Sequence, residues 1–288
     1  MKERQMINPD ARSVEQVTLR NNVFIVHTLA EGGVQHHNAN SNVSEKATYE
    51  DDMDIMLALE PSVSASSVTP GKKATLWSAD GFLLTGGHIS EAASSDRGTF
   101  AHGIKKRGGD REDTNSSVEE IDTFLGRKGQ RYDDNYGRIG FHSMNEAVVN
   151  NPEVFGFFQQ AEKDADGRYW AYNLGTKKDR AEAAKMRRYR PAAFDTNLAN
   201  YRRRFAVAQE RGVPLYIMTP DREVYECLGV NDDGTVETGR QLTPQEVAAG
   251  RAGWSSDKRK EVGEKLLQKG IFRGEKTQEE AKQIIGAL

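Results

Sequence analysis

The sequence predicts an α+β protein with a split, mainly antiparallel sheet, flanking helices and a C-terminal helical tail. Short runs of β-branched and aromatic residues between polar stretches, as at 23–29 and 213–218, indicate buried strands. A charged, alanine-rich stretch at 197–211 and a proline-containing helix start at 243–246 indicate helices. The 288 residues, 36% of them hydrophobic, are enough to bury a core.

The distribution of polar residues divides the chain into three regions. Residues 1–20 are polar and unpatterned, so we expect a flexible N-terminal arm. Residues 21–240 hold the predicted strands and form an α+β catalytic-type domain, and a stretch rich in Lys, Arg, Gly, Asp and Asn at 103–140 indicates a polar loop within it. Residues 241–288 are expected to form a helical C-terminal appendage.

The elements are predicted in the following order. After the strand at 23–29, residues 49–59 have an acidic start and end before Pro61, which favours a helix. Residues 62–68 alternate serine with small apolar residues, which favours a strand with its serines on one face. Residues 77–87 indicate a hairpin that leads into a loop bent by Gly86 and Gly87. Later elements are a strand at 169–172, helices at 179–189 and 197–211, a strand at 213–218, a hairpin turn at 232–234 and helices after 243.

The charge balance and hydropathy exclude two classes of partner. Lys and Arg number 40 and Asp and Glu 43, so a net charge of -3 provides no basic field and nucleic acid is not an expected partner. No apolar run approaches the roughly 18 residues of a membrane span, and the charged N-terminus lacks the apolar segment of a Sec signal peptide. We therefore expect a soluble protein that is cytoplasmic or is delivered into another cell by a specialised secretion system.

The cysteine and histidine content gives no sign of a disulfide framework or a metal centre. The single cysteine, Cys227, lies in a strand-like segment, and a buried thiol is expected there in preference to a nucleophile. The histidines at 36, 37, 88 and 102 have no metal-ligand spacing tied to a third ligand, so no metal site is predicted.

Two groups of polar residues lie in or at the end of predicted strands. His27 and Thr28 end the first strand, where they could bind a ribose or phosphate. Ser64 and Ser66 could bind a nucleotide or hold a carboxylate in place. Each group also has a simpler interpretation, in which the His27–Thr28 pair bonds to local backbone and the serine hydroxyls are solvated.

His142 and Glu146 are separated by three residues, and Glu146 begins an apolar run. The spacing puts both on one face of a helix or of an extended segment. Glu146 could stabilise a developing oxocarbenium ion or act as general base. His142 could act as a base or donate a hydrogen bond to a phosphate. Both are therefore candidate catalytic residues, although such a spacing also arises by chance.

These segments resemble the ADP-ribosyltransferase superfamily of toxins and effectors. The matching features are a first strand that ends in Val26-His27-Thr28, the serine strand at 62–66, and the glutamate that heads the segment 145–149. The resemblance covers about residues 22–227 and implies an NAD cofactor and a protein target. It implies that His27 and Thr28 bind NAD, that Ser64 and Ser66 brace the site, and that Glu146 supports cleavage of the nicotinamide–ribose bond. Met144 stands where members that modify arginine or asparagine have Glu or Gln.

Two alternatives stay open. The His142-x-x-x-Glu146 spacing with a nearby serine is similar to that of effector AMPylases. That resemblance implies ATP as cofactor, AMP transfer to a protein target, and an activating host protein as a possible partner. The other alternative is a non-enzymatic protein that binds a partner through basic helices near Arg187 and Arg202.

Overall fold

The computed structural model describes residues 12–29, 53–54, 58, 62–71, 76, 80–93, 146–171, 191–250, 256–270 and 278–287. Within these residues the fold is α+β, with a mainly antiparallel sheet and flanking helices, as the sequence predicts. The strands are β1 Arg12–Ser13, β2 Phe24–Thr28, β3 Ser62–Val68, β4 Asp80–Ala93, β5 Glu146–Lys163, β6 Tyr169–Ala171, β7 Leu215–Met218, β8 Val224–Val230 and β9 Thr235–Leu242. The helices are α1 Val14–Asn21, α2 Pro191–Glu210, α3 Pro244–Ala249, α4 Ser256–Lys269 and α5 Gln278–Ala287.

The strand pairings form two closed circuits that share β5. In the first circuit β2 pairs with β3 and β4, and both of these pair with β5. In the second circuit β5 pairs with β6 and β7, and these are joined through β9 and β8. Of the described pairs, β5 with β7 is parallel and the others are antiparallel. The 18 residues of β5 are long enough to serve both circuits.

Irregularities in β4 and β5 bend the two long strands where they pair with each other. The register between them shifts four times, between Leu83 and Glu91. Gly87 has a φ of +110° and Asn151 a φ of 49°, both in the left-handed region. A Cβ on Gly87 would lie 2.8 Å from Val149 Cγ1, so glycine is required there by close packing as well as by conformation. The bend predicted at Gly86 and Gly87 is therefore real, but the two residues lie inside strand β4 and not in a loop.

The sheet is covered on both faces at its centre, which explains why β2 begins with a continuously apolar run. The larger cluster, called here the main core, packs α1, α2, α4 and α5 against one face; among its members are Val17, Ile25, Phe82, Phe157, Tyr201, Phe205, Leu266 and Ile285. The smaller cluster, called here the second core, packs α3 against the other face; among its members are Phe24, Val26, Leu83, Phe158, Tyr216, Met218 and Val247.

The N-terminal prediction is wrong for residues 12–20, which form β1 and most of α1 instead of a flexible arm. Ser13 accepts a hydrogen bond from the Gln16 backbone, and the Gln16 side chain accepts one from the Ser13 backbone. This capping box starts the helix. Val14 and Val17 lie one turn apart and are fully buried in the main core. Residues 1–11 lie outside the described part of the chain.

Most other predicted elements correspond to described ones. Residues 53, 54 and 58 are helical, inside the helix predicted at 49–59. The C-terminal helices form after the predicted start at Thr243, and Val262, Leu266 and Ile285 join the main core, so this appendage shares the core of the sheet. The predicted loop at 103–140 and helix at 179–189 lie outside the described residues.

Candidate functional site

The three strands that carry candidate residues are neighbours in the first circuit. Val26 of β2 is opposite Ser66 of β3, and Ser66 is opposite Glu146, the first residue of β5. These three backbone positions form one row across the sheet. Because adjacent strands lie about 4.8 Å apart, Val26 and Glu146 are about 10 Å apart along the row. The order of strands thus brings together segments that are 120 residues apart in the sequence.

Ser62, Ser64 and Ser66 occupy alternate backbone positions of β3, as predicted, whereas Ser67 has the parity of the main-core residues. Val63 and Ala65 are buried in the main core, whereas Ser66 is half-buried on the opposite face. We call the face that carries the backbone positions of Ser62, Ser64 and Ser66 the serine face. Directly opposed residues of paired strands share a face, so Glu146 is also a serine-face position.

His27 and Thr28 lie on different faces of β2. Val26 is opposite Ser66 and so belongs to the serine face, and Thr28 follows it at the same parity. His27 instead shares its face with Ile25 and is opposite Phe82, and both of these belong to the main core. Thr28 is therefore the member of the pair that shares a face with Ser64, Ser66 and Glu146. Both side chains are half-buried.

Two further polar residues on β4 share this face and were not singled out as site residues from the sequence. His88 is opposite Asn150, and Glu91 is opposite Val148. Counted along the chain, positions 88 and 91 have opposite parity, but the register shift between Ile89 and Glu91 brings both to the serine face. A bulge of this kind leaves no period-two pattern, so it could not be predicted from the residue pattern. His142 lies outside the described residues.

A second polar cluster lies where α2 crosses the start of β4. Arg204 Nη1 is 2.9 Å from Asp80 Oδ1, and the Asp80 side chain is 1% exposed. Gln159, which is opposite Asp80 in β5, donates through Nε2 to the Tyr201 carbonyl at 2.7 Å. Within the described residues the buried Tyr201 hydroxyl has no hydrogen-bond partner. Burial raises the pKa of Tyr201, and the charges of Cys227 and Asp80 raise it further.

Cys227 and the arginines of α2 make contacts that stabilise the fold. Cys227 is half-buried, and burial raises the pKa of its thiol to about 11, so the thiol is protonated at neutral pH and is a poor nucleophile. Arg202 donates to the Asn231 carbonyl at 2.6 Å and pairs with Asp232, and Arg204 pairs with Asp80. Arg202 and Arg204 are thus engaged within the fold. Arg187 lies outside the described residues.

No three His, Cys, Asp or Glu side chains in the described ranges are grouped as a metal ion would require. None of the described helices combines the length and apolar character needed to cross a membrane. Compared with protein-family models, with curated proteins and with solved structures, the chain gives no match.

Proposed function

We propose that this protein transfers ADP-ribose from NAD to a protein target, with Glu146 as the catalytic carboxylate. The observation that carries the proposal is the register row from Val26 through Ser66 to Glu146. It makes neighbours of the three segments that resemble an ADP-ribosyltransferase site, although long stretches of chain separate them. Neither α2 nor the C-terminal helices contribute to this row.

The chemistry follows from the residue types at the serine face. In the reaction the bond between the nicotinamide nitrogen and ribose C1′ breaks, and nicotinamide leaves with the bonding electron pair. Positive charge then develops on the ribose ring, and a fixed carboxylate beside it stabilises the transition state. Glu146 supplies that carboxylate, and a nucleophilic side chain of the target attacks C1′ and releases its proton.

Most of the remaining candidates have binding roles. The backbone positions of Ser64 and Ser66 lie on β3, next to the strand that carries Glu146 and on the same face. We assign to their hydroxyls the role of hydrogen-bonding the ribose or orienting the carboxylate. Thr28 binds NAD from the same face, whereas His27 has a main-core position on β2 and is not assigned to this site. His142 orients the substrate. Because β3 and β4 both pair with the first residues of β5, the backbone of Glu146 is held from two sides.

The test uses labelled NAD and needs no identified target, because water can replace the target nucleophile. We expect release of nicotinamide by the purified chain and a loss of about 100-fold in Glu146→Gln, the size of effect seen when one transition-state contact is removed. Glu237→Gln, an exposed glutamate on β9, is the matched control and should retain activity. Full activity in Glu146→Gln would end the proposal.

Thermal melting with NAD, ATP or neither separates this proposal from its alternatives, because a ligand that binds only the folded state raises the midpoint. A rise with NAD supports the proposal. A rise with ATP alone would favour AMP transfer through His142 and Glu146. If neither nucleotide raised the midpoint, charge reversal at Arg203, the exposed member of the α2 arginines, would test the partner-binding hypothesis.

A further inference from the structure

We infer that the buried Asp80–Arg204 ion pair positions the end of β2 for nucleotide binding, so that Arg204 acts on Thr28 through Asp80. The inference rests on the proposed function, because it assigns a positioning role at the same site. It adds residues that lie outside the serine face and that the resemblance does not include.

The ion pair holds one end of β4 rigidly. The side chains of Asp80 and Arg204 are 1% and 12% exposed, and their charged atoms are 2.9 Å apart. A carboxylate removed from water to this extent depends on its partner, since loss of either member leaves an uncompensated buried charge. Asp80 is therefore fixed in place by a side chain from α2.

The same residue holds the end of β2 through its backbone. Leu29, the residue after β2, donates its N–H to the Asp80 carbonyl at 3.0 Å. The next residue of β4, Gly81, is opposite Thr28. A Cβ on Gly81 would collide with the His27 carbonyl, so the two strands are in their closest possible approach here. A shift of Asp80 is therefore passed directly to Thr28.

A second contact fixes α2 relative to β5. Gln159 is opposite Asp80 and donates to the carbonyl of Tyr201, which lies about one helical turn before Arg204. Helix α2 thus holds the start of β4 and the middle of β5 at adjacent points. The end of β2 and the strand that carries Glu146 are therefore both fixed in position by contacts with one helix, α2.

The chain provides a matched control for the test. Arg211, just after α2, contacts both carboxylate oxygens of Asp54 at 2.9 and 3.0 Å, and this pair is also largely buried. It joins the end of α2 to the helical residues at 53–54, whereas the Asp80–Arg204 pair joins α2 to the start of β4. Asp80→Asn and Asp54→Asn therefore remove a similar buried ion pair from the same helix, and only the first removes it from the end of β2.

The experiment compares the two variants by the dissociation constant for NAD, the melting midpoint and amide hydrogen exchange at Leu29. We expect both variants to melt earlier, but only Asp80→Asn to weaken NAD binding, by about tenfold, as small misplacements of binding groups do. Exchange at the Leu29 amide should also be faster in Asp80→Asn alone. Arg204→Gln, which removes the ion pair from the side of α2, should weaken NAD binding in the same way, and it serves as the informative variant if Asp80→Asn does not fold.

Some outcomes would overturn the inference, and a different outcome would overturn the proposed function on which it rests. Equal loss of NAD affinity in both aspartate variants would assign the effect to general destabilisation. Unchanged Leu29 exchange in Asp80→Asn, or unchanged NAD binding in Arg204→Gln, would show that the pair does not position β2. Failure of the wild-type chain to bind NAD would instead defeat the proposed function, and the Leu29 exchange would still decide the structural claim.

Discussion

Asp164 organises the turn between β5 and β6. It accepts hydrogen bonds from the Trp170 indole at 2.9 Å, from the Arg168 guanidinium at 2.9 Å and from the backbone N–H groups of Asp166 and Arg168. These contacts lower the pKa of Asp164 to about 2, and the hydrogen bond from the Trp170 indole has the largest effect. Since each contact favours the ionised carboxylate, the turn is most stable when Asp164 is charged.

This depressed pKa predicts a dependence of stability on pH. The contribution of Asp164 is complete above the ordinary aspartate value of about 3.9 and is lost as the pH falls from there toward about 2, because the unfolded state takes up the proton first. Asp164→Asn should unfold more easily at pH 7 and show a flatter stability profile over that acid window. Urea melts from pH 2 to 7 measure this. An identical slope in both proteins would contradict the assignment.

The faces of His27 and Thr28 illustrate what could not be predicted residue by residue. The run Val23–Val26 is apolar throughout because both faces of the central sheet are covered. It therefore contains no alternation from which the orientation of His27 or Thr28 could be inferred. In β3, by contrast, alternation is present, and the serine positions were predicted correctly.

At the level of elements, the contact between β2 and β4 depends on Gly81. We expect Gly81→Ala to lower the free energy of unfolding by about 1–3 kcal/mol or more, since the added methyl group meets the His27 carbonyl and can be accommodated only by moving backbone. Gly229→Ala in β8 is the control, because a Cβ there has nothing within 4 Å. Its effect should stay within about 0.5 kcal/mol. Chemical denaturation of both variants compares them, and equal stability would refute the proposed close approach.

Strand β4 shows why a glycine pair can be misinterpreted. Adjacent glycines are typical of loops, and a loop was the sequence-based expectation at Gly86 and Gly87. Here they permit a strand to bend against β5 while keeping most of its pairing. The bulges that accompany the bend bring His88 and Glu91 onto one face. A residue pattern that assumes a regular strand cannot find such a site.

For the whole molecule, the shared strand and the continuous main core favour one cooperative unfolding transition. Cys227 packs against that core, and burial raises the pKa of its thiol to about 11. We therefore expect it to react slowly with thiol reagents in the native state and rapidly after unfolding. In a urea series, the onset of labelling should coincide with the loss of far-ultraviolet circular dichroism. Labelling at lower urea would reveal that the second circuit opens by itself.

The fold class and most individual elements followed from local patterns, whereas the closure of the two circuits did not. The parallel pairing of Phe157 with Leu215 joins positions 58 residues apart, and nothing in either apolar run specifies its partner. The same holds for the row from Val26 to Glu146. The candidate residues could be predicted from their types, but their common face depends on which strands become neighbours.

Because β5 belongs to both circuits, the two circuits can form only one after the other during synthesis. The first circuit has all its strands once Lys163 has left the ribosome, but the second must wait for Leu242. At about 5–20 residues per second, translation of the intervening segment takes several seconds. Until Met218 has emerged, the strand edge at Phe157 and Phe158 lacks β7, so this nascent chain is expected to need a chaperone most between Lys163 and Met218.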